Sequence, residues 1–171
     1  ASRTAFLISF VLIAVNTIAA PKFAALYHKG DMEALGSIAR HSAKLMAIFA
    51  SPVLLLFLIF PGWVMAIFGS QYADHGLILA VLAIGQFINV ATGSVGYLLV
   101  MTGNERLQLY GISAVTVVSI VLYLTLIPAF GITGAAIATG VSVASQNLLA
   151  CYLVYRALGI KTIPWPGLKF R

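Results

Sequence analysis

Five long apolar blocks dominate the chain: Ala5–Ala20, Ser42–Phe60, Leu77–Met101, Leu109–Ile127 and Gly134–Tyr155. Each approaches the roughly 20 residues that a helix rising 1.5 Å per residue needs to cross a hydrocarbon layer of about 30 Å. Lys44 is the one charged residue inside any block, a turn into the second, where its stem reaches back to the headgroups. The pattern predicts an all-α fold, a polytopic membrane helical bundle of about five transmembrane helices over residues 1–160. A basic cytoplasmic tail follows at 161–171. The lipid bilayer is then the first partner.

The punctuation refines these elements. Pro21 is expected to end or kink the first span. Gly30 breaks the helix, and Asp31 is placed to cap the next one. Met32, Leu35 and Ile38 repeat at helical spacing opposite Glu33 and Arg40, predicting an interfacial amphipathic stretch that feeds the second span. Pro52, inside that span, is a candidate hinge or cavity wall. Pro61-Gly62 ends it, Trp63–Phe68 reads as a short interfacial helix closed by Gly69, and Tyr72, Asp74 and His75 form a wet loop. In the third span Gln86, Asn89, Gly93 and Gly96 fall at i, i+3, i+7 and i+10, with Tyr97 beside them. This polar, small-residue face points inward, either onto a solute path or onto a neighbouring helix. The short turn 101–106 makes the third and fourth spans antiparallel neighbours. The fourth carries Ser113, Thr116, Ser119 and Tyr123. The fifth carries a close-packing stripe of Gly134, Ala135, Ala138, Ser142 and Ser145 that ends in Gln146.

Composition removes the water-soluble alternatives. Charged residues are 8% of the chain and hydrophobic ones 61%, whereas a soluble domain carries about 25% charge. The net charge of +6 follows topology and calls for no nucleic acid. Alternating spans put Lys22, Lys29, Arg40, Lys44, Arg106, Arg156, Lys161, Lys169 and Arg171 on one side and leave Arg3 on the other. By the positive-inside rule the first side, with the C-terminus, is cytoplasmic. The N-terminus is then outside. Together with a start at Ala1, this leads to the expectation that the chain is a fragment with further spans upstream. His28, His41 and His75 share no ligand spacing, so no metal site is expected. Cys151, the single cysteine, reads as a packing residue. No cofactor loop or catalytic motif occurs, and the chain is not expected to be an enzyme.

Four stretches carry a resemblance. They are Ala20-Pro-Lys-Phe-Ala-Ala-Leu-Tyr27 with Lys29-Gly-Asp31; Ile67-Phe-Gly-Ser-Gln-Tyr72; Gly93-Ser-Val-Gly96 with Met101-Thr-Gly-Asn-Glu105; and Ile127-Pro-Ala-Phe-Gly131 with Gly134-Ala-Ala-Ile-Ala138. In this order they resemble the C-terminal half of the O-antigen and teichoic-acid exporters. These are polysaccharide flippases of the multidrug/oligosaccharidyl-lipid/polysaccharide exporter superfamily. The resemblance implies spans eight to twelve of a twelve-helix, multidrug-and-toxin-extrusion-like transporter in a bacterial inner membrane. Such a transporter has two bundles around a central cavity and works by alternating access. The partner this chain lacks would be the N-terminal helical bundle.

The resemblance further implies a lipid-linked oligosaccharide as substrate. Arg3 is the candidate for its pyrophosphate, being the one cation outside the cytoplasmic set. Asn16, Gln86, Asn89, Tyr97 and Gln146 are the candidates for its sugars. A cation-coupled multidrug antiporter of the same superfamily is the alternative, although it would want a carboxylate in the spans. A non-transporting membrane scaffold is the other.

Overall fold

The computed structural model describes residues 10–67 and 76–162. Among them every regular element is a helix: α1 (Phe10–His28), α2 (Met32–Ile59), α3 (Pro61–Ala66), α4 (Gly76–Ala91), α5 (Val95–Met101) and α6 (Glu105–Leu158). Three helical stretches are long and apolar enough to cross a membrane: Met32–Ile59, Gly76–Met101 taken across the break between α4 and α5, and Glu105–Leu158. Arg3, Gly69, Tyr72, Asp74 and His75, and the tail beyond Thr162, lie outside the described residues.

The first turn forms as its residues dictate. Gly30 takes φ +74°, and the Asp31 carboxylate accepts from the Ala34 N–H at 2.9 Å, capping α2. Two expectations here are corrected. Pro21 does not end the first helix, which continues to His28. Its exposed ring frees the Thr17 carbonyl within reach of the charged end, where water substitutes. The stretch 32–41 feeds the second span as expected, but its apolar stripe does not lie free for a membrane surface. It is the start of α2, whose 28 residues span about 42 Å. Leu35, Gly36 and Ala39 are buried there, so the apolar stripe packs on protein rather than on a membrane surface.

The helix read as the third span is broken. It stops at Ala91 and restarts at Val95, with Gly93 at φ +79°. Two contacts hold the gap. Thr92 Oγ1 donates to the carbonyls of Ile88 (3.0 Å) and Asn89 (2.9 Å). The backbone of Gly93 lies against α2 so closely that a Cβ would stand 2.8 Å from Ala43 Cβ and 3.2 Å from Ala43 Cα. Gly93→Ala is therefore expected to destabilise by about 2–3 kcal/mol, combining overpacking with left-handed strain. Chemical unfolding in detergent micelles followed by circular dichroism measures it, and an unchanged midpoint would contradict this placement of the break.

The fourth and fifth apolar blocks leave the six residues Pro128–Thr133 between them as a connecting loop. Instead, helical structure runs through Pro128, and the chain reverses at Gly131 (φ 56°, ψ −131°). Residues 105–130 and 132–158 are thus two arms of a hairpin. Tyr123 donates to Thr139 Oγ1 at 2.9 Å, while Thr139 donates to the Ala135 carbonyl at 2.8 Å. Nearer the open end, Gly111 faces Leu149 and Leu153. The Trp63 helix is α3, opened by Pro61, with Val64 and Met65 buried and Trp63 exposed.

The α4–α5 pair is central, packed on α2 and on α6, with α1 resting on α2 and α5. Two apolar clusters stack along its length. One joins Met46, Ala50, Phe57, Leu79, Ala83 and Val90. The other joins Phe23, Leu35, Leu98, Leu99, Val154 and Ile160. Every Lys, Arg, Asp and Glu among the described residues sits at the end of the second cluster, except Lys44, which stands further in beside Ala43 at the level of the break. The others lie on the last turns of α1, the first three of α2, the α5–α6 turn, and the end of α6 and the residues after it.

Candidate functional site

Between the two apolar clusters the interior turns polar. Asn16, Gln86, Thr92 and Ser94 are all at least nine-tenths buried. They adjoin or line a cavity of about 320 Å³ walled by α1, α4, α5 and both arms of α6. Its size lies at the small end of ligand sites, which run about 300–1,000 Å³. α1 contributes Asn16. α4 contributes Gln86 and Asn89, and the break contributes Gly93 and Ser94. Tyr97 comes from α5, Gln108 from the first arm, and Thr139, Gln146 and Asn147 from the second.

Each side chain has an identifiable support. Ser94 Oγ donates to Asn16 Oδ1, tying α1 to the break across 78 positions of sequence. Asn89 Nδ2 donates to Gln86 Oε1 at 3.3 Å, one turn earlier on the same face. Asn147 Nδ2 donates to the Val143 carbonyl at 2.8 Å. Gly96 permits Gln108 to enter, since a Cβ there would stand 2.9 Å from Gln108 Nε2. Tyr97 stays 49% exposed although Leu98 and Leu99, next along the chain, are 1% and 0%.

Five of the expected site residues, Asn16, Gln86, Asn89, Tyr97 and Gln146, thus line one cavity. Arg3 lies outside the described residues. Pro52 is exposed and is not among the residues that line this cavity. Its position on the outward face of α2 explains why: Ala50 and Phe57 face the core, and Pro52 is rotated away from both.

Gln108, Thr139 and Asn147 are functional-site residues that the sequence reading missed. A signal was available for the second arm, because 139, 143, 146 and 147 fall at i, i+4, i+7 and i+8, a single helical face. Gln108 had no such signal, being one residue short of an apolar block.

No family model, curated protein or solved structure matches the chain.

What the arrangement can do follows from its groups. Primary amides and hydroxyls each offer donor and acceptor capacity. The cavity lining holds no Lys, Arg, Asp or Glu, and among the described residues no group of His, Cys, Asp and Glu is clustered for a metal. His28 and His41 are exposed at the charged end. Cys151 is buried, with Thr162 Oγ1 donating to its sulfur at 3.6 Å. Such a lining can donate hydrogen bonds to, and accept them from, a neutral polar ligand or water.

Proposed function

We propose that this chain crosses the membrane five times and forms the C-terminal bundle of an alternating-access exporter that flips a lipid-linked oligosaccharide. The observation that carries the reading is the convergence of amides from four elements on one cavity, in a chain whose described charges, Lys44 aside, lie at one end. Amides are costly to take out of water, and their arrival on one cavity from four separate segments supports a ligand-facing role over plain packing. The five crossings would be α1, α2, α4–α5 and the two arms of α6, with the charged end and the C-terminus in the cytoplasm of a bacterial cell. A helix broken at the cavity supports transport further, because non-helical backbone in a bilayer is tolerated where it is buried in protein or lines a wet space, and transporters place binding sites there. The first bundle of the resembling exporters is the partner proposed to close the cavity opposite Tyr97.

The cavity's chemistry weighs against the multidrug antiporter. Asp31, Glu33 and Glu105 all lie at the charged end, so the described spans hold no carboxylate to exchange a cation against. A purely structural scaffold gives no account of the clustered amides.

The test is glycan export. In the producing cell, Gln86→Leu together with Gln146→Leu is expected to lower surface polysaccharide at least about tenfold, the loss of a few kcal/mol of polar contacts, while the protein accumulates in the membrane as before. Undiminished surface polysaccharide at equal protein level would end this reading.

A further inference from the structure

A second cleft, of about 250 Å³, adjoins the polar cavity on the outer side of α5. Ile13, Asn16, Thr17, Ala20 and Tyr97 line it, and two of these, Asn16 and Tyr97, also line the first cavity. The geometry explains the sharing. The Ser94–Asn16 bond pins α1 beside the start of α5, and Tyr97 stands one turn after Ser94, in the seam between the two helices. Its ring is half bare in a helix whose next two residues are sealed. An aromatic ring exposed between two hydrogen-bonding clefts has an apolar face and a polar tip to offer, the combination enriched where one side of a ligand is apolar and its edge wet.

We propose that the two clefts are one bipartite glycan site, with Tyr97 as the platform across which a linear, uncharged oligosaccharide passes, one sugar unit or more in each cleft. This rests on the exporter reading above and adds the length and charge of the segment recognised. A pyranose presents a face of C–H groups, which matches the ring of Tyr97. Its rim of hydroxyls both donates and accepts, which matches Asn16 and Thr17 on one side and the amides of α4 and α6 on the other. An acyl chain would offer those amides no hydrogen bond. A phosphate or sugar acid would need a cation, and the described residues of neither lining supply one.

The test uses the purified chain in lipid nanodiscs and water-soluble probes: glucose, N-acetylglucosamine and their linear oligomers of two to four units, with affinity followed by saturation-transfer NMR. In the wild type, affinity in at least one series rises about tenfold or more on going from one unit to three, the mark of a second subsite. Tyr97→Leu removes that rise, while Tyr97→Phe keeps it, because the ring face and not the hydroxyl carries the contact. Thr17→Phe, at an exposed position that leaves packing intact, fills the second cleft and also removes the rise. A rise that survives both Tyr97→Leu and Thr17→Phe, or wild-type binding with no dependence on length, overturns the bipartite site and leaves the exporter reading standing. Failure of every sugar to bind also overturns the bipartite site, while the exporter reading stands or falls on surface polysaccharide in the producing cell.

Discussion

Gly134→Ala is expected to abolish the folded hairpin of α6. A Cβ at Gly134 would be driven onto the Leu126 carbonyl oxygen and also stand 2.6 Å from the Leu126 carbonyl carbon. All of these are backbone atoms three or more residues before the reversal, so no side chain is available to rotate aside. The two arms must separate or the turn must change shape. Either outcome disrupts the Tyr123–Thr139 bond and the contacts of Gly111 with Leu149 and Leu153. The loss should reach at least about 4 kcal/mol, the range reserved for severe steric or packing faults. Gly131→Ala supplies a graded comparison. Space is open around that residue, yet its φ of 56° with ψ of −131° is a conformation for glycine alone, so a cost of about 1–3 kcal/mol is expected. Denaturant titration of the purified protein in micelles, read by circular dichroism, ranks the two. Gly134→Ala unfolding at the wild-type midpoint would refute the hairpin.

The second large effect separates two glycines that face each other. α4 crosses the second arm of α6 at Gly85 and Gly140. A Cβ on Gly85 would stand 2.7 Å from Gly140 Cα and 3.0 Å from its carbonyl oxygen. A Cβ on Gly140 would meet only Val81, at 3.2 Å from its carbonyl oxygen and 3.5 Å from Cγ1. Gly85→Ala must force the helices apart and is expected to cost at least about 3 kcal/mol, the upper range of overpacking. Gly140→Ala should cost about 1 kcal/mol or less, since a small shift of Val81 relieves it. Because Gln86 follows Gly85 and Thr139 precedes Gly140, widening this crossing also opens the polar cavity, so Gly85→Ala should lose glycan export even where some protein folds. Equal effects from the two substitutions would mean that the crossing is not where it is placed here. In a bilayer, where apolar surface gives helices no reason to prefer one another over lipid, such close approaches carry much of the association.

How far the sequence discloses this arrangement depends on which physical signal each element carries. The long helices are legible because hydrocarbon demands uninterrupted apolar length, and the blocks ending at Phe60, Met101 and Tyr155 supply it. The Asp31 cap is legible because a carboxylate after Gly30 has one obvious use. The polar cavity was legible in part: Gln86 and Asn89 share a face, and amides in apolar surroundings need partners. The break at Thr92–Ser94 was not, since Val90, Val95, Leu98 and Leu99 continue the apolar run on both sides and Gly93 reads equally well as a packing residue. Only its contact with Ala43, from another helix, distinguishes the two readings. Pro21 misleads for the converse reason. A proline ends a helix when its freed carbonyl has no solvent, and here the charged end is near. The reversal at Gly131 was placed in the right segment by Pro128 and Gly131 but expected to be six residues long. Its tightness depends on Gly134 accepting the Leu126 carbonyl, a contact between positions eight apart that no local propensity reports.

That tightness bears on how the molecule is made. In the five-crossing reading proposed above, a single residue turning the chain lets the last two segments insert as one hairpin rather than as two separate spans. The far side of the fold then offers a protease no strand of chain between them to cut.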